Sequence, residues 1–178
     1  MVCCFSIGLK SCIFEKKKAV KTEQKNGLSF KEIQSKMEYY CSYQDRCHKE
    51  VLQKMRDFFL IEEAQNQILM HLMQHNFINE ERFARSFVRG KHHYKKWGKV
   101  RITNELKQRE ISTKLIQMAL TEIPEKEYLN TFFTLAEKQW EAITETNKYK
   151  KQQKWLGFMM RRGYESSLIY EALNDLKA

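Results

Sequence analysis

Proline, glycine and long apolar runs are scarce in this chain. One proline and six glycines occur among 178 residues, and so few chain breakers argue against an all-β or loop-rich protein. No segment approaches the run of about 18 apolar residues that a membrane-spanning helix needs. Hydrophobic residues still make up 42% of the chain, which is enough for a packed core. Because good helix formers such as Lys, Glu, Gln, Leu and Met dominate, the composition predicts an all-α protein.

Motifs for catalysis or metal binding are also missing. The five cysteines match no zinc or redox spacing, and we expect reduced thiols in a cytoplasmic protein. There is no P-loop, glycine-rich dinucleotide turn, nucleophile elbow or zinc-protease motif. His71 and His75 lie one helical turn apart, but the sequence places no carboxylate or thiolate beside them. We therefore expect no enzyme activity, no catalytic residue, no metal and no cofactor.

The charge of the chain is strongly positive. The net charge is +10 and the isoelectric point about 9.3. Such a balance favours a polyanionic partner, which could be nucleic acid, an anionic membrane or an acidic protein surface. The alternative is a basic protein without any such partner.

One apolar pattern occurs three times along the chain. The copies are offset by 51 and 53 residues, and each predicts two helices separated by a short break. The first copy comprises Val51, Met55, Leu60, Ala64, Ile68 and Leu69. The second comprises Ile102, Leu106, Ile111, Leu115, Ala119 and Leu120, and the third Trp155, Met159, Tyr164, Leu168, Ala172 and Leu173.

A longer helix precedes each pair. We expect these helices at about residues 30–43, from an Asn79 cap onward, and after Pro124, which suits the first turn of a helix. The unit is therefore three helices, and stacked neighbours would complete its core. We expect repeats over residues 29–77, 78–123 and 124–178, after a basic, disordered leader at 1–28 that lacks signal-peptide features.

Three short motifs resemble the RecX family. The run Phe77–Ala84 (FINEERFA) resembles the family signature, and Gly98, Arg101-Ile102 and Glu105-Leu106 resemble its G-x-x-R-I-x-x-E-L element. Residues 161–164 (RRGY) resemble its Arg-Arg-Gly-Phe turn. Order and spacing agree over about residues 36–176. Two departures occur: Asn79 replaces the usual aspartate, and Glu110 replaces a frequent glycine, so we expect a less strained helix end there.

The resemblance implies an elongated, curved array of three tandem three-helix repeats. It also implies a regulator that binds within the groove of a RecA–DNA filament and modulates the recombinase, usually by inhibition, and we expect it to be a monomer. The affected activities would be its ATPase, strand exchange and co-protease functions in DNA repair and the SOS response. The runner-up interpretation is a non-specific nucleic-acid-binding helical protein that acts without a recombinase. A third is a structural adaptor for another acidic protein.

Two basic regions are the candidate contact surface. Residues 82–109 hold ten Lys or Arg and a single acid, and residues 148–162 hold six and no acid. On a helix, Arg82, Arg85, Arg89, His92, His93 and Lys96 would form one ridge, beside an apolar stripe of Phe83, Phe87 and Tyr94. The candidate filament- or polyanion-binding residues are Arg82, Arg85, Arg89, Lys91, Lys95, Lys96, Lys99, Arg101, Lys148, Lys150, Lys151, Lys154, Arg161 and Arg162.

The two tryptophans in these basic regions have different expected roles. Trp155 occupies a repeat position, so we expect it in the core, whereas Trp97 could pack or stack on bases. The last helix of each unit is poor in Lys and Arg, which argues against sequence-specific reading of the major groove. We therefore expect contacts to backbone phosphates or to protein.

Overall fold

The computed structural model describes residues 27–176, and within that range it contains nine α-helices and no strand. The all-α prediction is therefore confirmed. The helices are α1 Phe30–Tyr43, α2 His48–Met55, α3 Glu62–Gln74, α4 Glu80–Lys95, α5 Lys99–Gln108, α6 Thr113–Leu120, α7 Glu125–Ala142, α8 Lys148–Arg162 and α9 Ser166–Asp175. They follow one another as three groups of three. The exact repeat boundaries at 77/78 and 123/124 stay a prediction, and the expected leader lies almost wholly outside the described residues.

Several helices begin at residues that suit a helix start. Ser29 and Glu32 form a reciprocal capping box at the start of α1. Asn79 accepts a hydrogen bond from the Arg82 amide at 2.9 Å, so asparagine serves as the cap of α4. Pro124 lies at the N-cap of α7, where its missing N–H costs no helical hydrogen bond. No helix in residues 27–176 has the length and apolar character needed to cross a bilayer.

The three copies share an unusual helix end. Phe59, Glu110 and Gly163 occupy corresponding positions and have φ values of 50°, 64° and 81°. All three are left-handed, a conformation that glycine adopts freely and other residues adopt at a cost of about 1–2 kcal/mol. The expectation of a less strained end at Glu110 is therefore wrong. The turn geometry is kept because Ile111, which follows it, has to enter the core.

The repeat positions form the core, which consists of two clusters. Every residue of the triple apolar pattern is buried, apart from Leu115, Leu120 and Leu168, which are half-buried. One cluster belongs to α1–α3 and includes Ile33, Met37 and Ile68. The other is continuous through α4–α9. The second and third units thus share a core, while the first contributes only Cys47 to it.

Polar side chains join the first unit to the second. The Lys49 ammonium donates to the Gln108 carbonyl at 2.9 Å and to the Glu110 carboxylate at 2.7 Å. Arg109 donates to Glu50 at 3.3 Å and to Glu105 at 2.8 Å. The hydrogen bond and charge of Lys49 lower the pKa of Glu110. The contact between the first and second units, which we call the first joint, therefore consists mainly of polar contacts and ion pairs between units that have separate cores.

Candidate polyanion-binding surface

The second and third units meet through backbone atoms. The C-terminal end of α8 points at the N-terminal end of α5, and the amides of Gly98 and Val100 donate to the carbonyls of Arg162 and Gly163 at 2.9 and 3.1 Å. The Lys99 amide donates to the Tyr128 hydroxyl at 3.2 Å. Since α5 has no side-chain cap, these three acceptors satisfy three of the four free N–H groups at its start.

Two glycines permit this approach. A Cβ atom on Gly98 would lie 2.2 Å from the Gly163 carbonyl oxygen, and one on Gly163 would lie 2.2 Å from the Arg101 Cβ. In the first joint, Cys47 and Glu110 occupy the corresponding places, so the backbones stay apart and Lys49 spans the gap. We call the contact between α5 and α8 the glycine joint.

The glycine joint brings together the two basic regions that lie far apart in the sequence. Arg162 donates from Nη1 to the Lys95 carbonyl at 2.6 Å, and Arg101 donates from Nη1 to the Arg161 carbonyl at 2.8 Å. The Tyr164 hydroxyl donates to the Lys96 carbonyl at 3.2 Å. We define the joint cluster as Lys91, Lys95, Lys96, Arg101, Arg161 and Arg162. Carbonyl oxygens orient the guanidinium groups of Arg101 and Arg162 without cancelling their charge.

Trp97 lies within the joint cluster. The Arg101 guanidinium lies 4.0 Å from the centre of its ring and the Lys91 ammonium 5.2 Å. The ring also packs against the core of α4–α9. A base could therefore stack on Trp97 only after displacing a cation. Trp155 is fully buried, as expected, and its indole N–H donates to the Ala136 carbonyl at 2.9 Å.

Nine of the fourteen candidate residues form no ion pair with a carboxylate among residues 27–176. Six of these nine are the joint cluster. The other three, Lys148, Lys150 and Lys151, lie at the N-terminal end of α8, about 20 Å along the helix from Arg162. They form a separate group, at a helix end where the dipole disfavours cations.

Five candidate residues are paired with acids. Arg85 and Arg89 both bind Glu122, and the latter contact measures 2.7 Å. Arg82 lies 2.7 Å from Asp45, and two further pairs join Lys99 to Glu125 and Lys154 to Glu145. Hydrogen bonds from Arg89 and Arg85 lower the pKa of Glu122.

The argument that the basic regions lack compensating acids is therefore wrong for these five residues. Most of the acids come from other helices or their connections, over 30 residues away in the case of Asp45 and Glu122. Arg85 and Arg89 do not point freely into solvent, because both reach the carboxylate that follows α6. The sequence shows charge density but not which charges meet.

Two other side chains on α4 also differ from the expected ridge and stripe. His92 is 0% exposed and makes a 3.1 Å hydrogen bond from Nδ1 to the Trp97 carbonyl, so it belongs to the core and not to the ridge. Burial lowers the pKa of His92. Tyr94 is 86% exposed and does not join the apolar stripe with Phe83. The buried face of α4 is thus rotated slightly from the face inferred from its sequence.

Groups with potential for catalysis or metal binding have structural partners here. Glu38 of α1 lies 2.7 Å from His71 Nε2, so the expectation of no carboxylate near that histidine is wrong. The contact is a hydrogen bond, and no set of three or more His, Cys, Asp or Glu suited to a metal ion occurs among residues 27–176. Cys41 and Cys47 are buried free thiols, and burial raises the pKa of Cys41 to about 11.

The fold and this surface define the class of protein: an all-α tandem repeat with cations concentrated at one joint. Two family models match the chain, "RecX, second three-helix domain" over residues 79–120 and "RecX, third three-helix domain" over residues 125–173. Together they cover just over half of the chain. The chain belongs to the RecX family.

Individual relatives agree with this assignment. The chain is 34% identical over 102 residues to Regulatory protein RecX of Vibrio campbellii, covering 57% of this chain and 64% of that protein. It is 25% identical over 138 residues to Regulatory protein RecX of Bacillus cytotoxicus, covering 78% of this chain and 51% of that protein. The chain thus spans roughly half to two thirds of the length of these relatives.

Solved structures of RecX proteins share the fold. The crystal structure of RecX from Lactobacillus salivarius superposes with a TM-score of 0.69 at 25% identity, covering 83% of this chain and 96% of that chain. A second crystal structure of a regulatory protein RecX gives a TM-score of 0.69 at 26% identity, covering 82% and 74%.

Proposed function

We propose that this chain binds the RecA recombinase–DNA filament and inhibits its ATPase, strand-exchange and co-protease activities, with the joint cluster as the principal contact surface. The observation that carries the proposal is the convergence of six cations from two distant segments, none paired with a carboxylate among residues 27–176. The proposal includes a role in DNA repair and the SOS response. It also includes a non-catalytic, monomeric mode of action in the cytoplasm.

The contact would be to backbone phosphates and acidic protein groups and not to particular bases. The joint cluster presents Arg and Lys in a fixed arrangement at a helix junction, while α3 and α9 carry no Lys or Arg between their first and last residues. Phosphates accept from such groups whatever the sequence. Trp97 supports the same interpretation, because cations already cover its ring.

The paired candidates have a different proposed role. Arg82, Arg85, Arg89, Lys99 and Lys154 would mainly hold helices in place, since each has a carboxylate partner. The group Lys148, Lys150 and Lys151 remains a secondary contact candidate. Nearby, Glu145 pairs with Lys154 and accepts a hydrogen bond from the Asn147 amide at 3.5 Å, and these three lysines have no carboxylate partner among residues 27–176.

A charge-reversal experiment tests the proposal. Lys95, Lys96 and Arg161 are exposed, and no hydrogen bond or ion pair involves their side chains within the described residues. Reversing all three to glutamate should weaken binding to a RecA filament on single-stranded DNA and abolish most of the ATPase inhibition. The matched control reverses the exposed Lys31, Lys114 and Lys126, which lie outside the candidate set. Equal inhibition by both triple variants would contradict the proposed surface.

The runner-up function is separated by comparing two ligands. A filament regulator should bind the RecA filament more tightly than bare single-stranded DNA. A non-specific nucleic-acid-binding protein should bind both alike, and the logarithm of its affinity should fall by about 0.7 per neutralised phosphate against the logarithm of salt concentration.

A further inference from the structure

A groove of about 450 Å³ lies between the first and second units. One face of α4 forms its floor through Phe87, Gly90 and Tyr94, which recur at the three- and four-residue spacing of a helix face. The loop between α1 and α2 forms one wall through Asp45 and Arg46. The groove therefore lies at the joint whose two cores are separate.

The floor of the groove is apolar and leaves space for a side chain of a ligand. Tyr94 is 86% exposed. A Cβ atom added to Gly90 would meet nothing within 4 Å, so the helix surface there is open. The Phe87 ring is partly buried, with the Lys91 ammonium 5.1 Å and the Arg109 guanidinium 5.0 Å from its centre. A flat or branched apolar side chain could rest over Gly90 between the two rings.

The groove has more cationic side chains than carboxylates to pair with them. Its two carboxylates are taken: Asp45 binds Arg82 at 2.7 Å, and Glu50 binds Arg109 at 3.3 Å and Arg46 at 3.8 Å. Arg46 Nε is buried without a hydrogen-bond acceptor, which is an unfavourable state for a donor.

On the same groove, Lys91 and Lys95 form no ion pair with any carboxylate among residues 27–176. The groove thus offers two ammonium groups beside an apolar floor. A ligand that complements it carries a carboxylate next to a large apolar group.

We propose that this groove receives an acidic peptide segment carrying a large apolar or aromatic side chain. The carboxylate binds at Lys91 and Lys95, and the apolar side chain covers Gly90. This inference rests on the proposed function in one respect: the segment belongs to the protein component of the filament. A nucleic-acid strand fits less well, because successive phosphates would have to cross the apolar floor that Phe87 and Gly90 form.

Position 90 gives a clean test of the groove. Gly90→Gln and Gly90→Glu place side chains of the same size into the open space, and only one of them adds negative charge. Gly90→Ala is the matched control, since its methyl group meets nothing. All three should keep or raise the melting temperature, because each replaces a glycine within a helix. Binding to a RecA filament on oligo(dT) and to bare oligo(dT) is then measured for each.

We expect Gly90→Ala to bind the filament like wild type, Gly90→Gln to bind it less tightly, and Gly90→Glu to lose roughly tenfold or more, the factor that one repelled charge can impose. Binding to bare oligo(dT) should change far less. If Gly90→Glu binds the filament as tightly as Gly90→Gln does, the claim that the ligand is acidic is refuted. If the variants lose affinity for the filament and for bare DNA equally, the claim that the ligand is a peptide is refuted.

The failure of this inference is distinguishable from failure of the proposed function. If wild type prefers the filament and the joint-cluster variant loses that preference, while all Gly90 variants retain it, then only the groove is refuted. If wild type itself shows no preference for the filament over bare oligo(dT), the proposed function is refuted and the groove with it. A photocrosslinker at position 94 adds a separate readout, because its crosslinked peptide should be acidic.

Discussion

Gly98→Ala is the most informative perturbation of the fold, because it acts on the glycine joint alone. The added Cβ would lie 2.2 Å from the Gly163 oxygen, 2.5 Å from its carbon and 2.6 Å from the Tyr164 nitrogen. All three are backbone atoms, so no flexible side chain can move away. The end of α8 must therefore separate from α5.

The magnitude follows from what this separation breaks. Two backbone hydrogen bonds, from Gly98 to Arg162 and from Val100 to Gly163, contribute about 1 kcal/mol each. Displacing packed backbone costs about 1–3 kcal/mol more. We expect the free energy of unfolding to fall by about 3 kcal/mol or more, which lowers the melting temperature of a domain of this size by about 10 °C.

Gly90→Ala is the matched control in the same assay. It is also a glycine replaced by alanine, but its Cβ has open space, so stability should rise by about 1 kcal/mol from helix propensity. Urea unfolding of both variants against wild type gives the comparison. A Gly98→Ala protein within about 0.5 kcal/mol of wild type would refute the close backbone contact.

Three further perturbations test the core, the left-handed ends and the buried histidine. Leu106→Ala should cost about 2–5 kcal/mol in urea unfolding because the side chain is fully buried, whereas Lys107→Ala on the exposed face should cost little; equal effects would refute the core assignment. Phe59→Gly should stabilise the protein by about 1 kcal/mol, because Phe59 is left-handed and 72% exposed; a loss of stability would show that its ring packs. Burial lowers the pKa of His92, so below the unfolded-state value of about 6.5 the unfolded chain binds more protons than the folded one. The contribution of His92 is therefore fully present above that pH and is lost as the pH falls, and wild type should lose more stability between about pH 7.5 and pH 5.5 than His92→Gln does. Parallel pH profiles for the two proteins would contradict this.

The periodic part of the fold could be predicted from the sequence. The triple apolar pattern places the core because burial recurs at helical spacing whatever the neighbouring helices do. The pattern misses one buried position of the repeat. Ile116 and Ile169 are 2% and 0% exposed, but the first copy has Gln65 at the same position. A pattern that requires an apolar residue in all three copies therefore leaves this position out.

The candidate surface was less predictable, because it depends on contacts between distant segments. Arg85 and Arg162 look alike in the sequence, as basic residues in basic runs. The first binds Glu122 of another element, while the second donates to the carbonyl of Lys95 and pairs with no carboxylate in the part of the chain that the structure describes. A Gly98–Gly163 contact gives no periodic signal, because the two glycines occupy different places in their units, one before α5 and the other after α8.

The central claim is that the joint cluster directs this protein to the RecA filament. The most direct measurement is the single-stranded-DNA-dependent RecA ATPase, titrated with wild type, with the Lys95→Glu/Lys96→Glu/Arg161→Glu variant and with the Lys31→Glu/Lys114→Glu/Lys126→Glu control. We expect wild type and the control to inhibit the RecA ATPase. The joint-cluster variant should lose most of this inhibition while its melting temperature stays unchanged. An ATPase rate that no concentration of wild type alters, or one that all three proteins inhibit alike, would contradict the central claim.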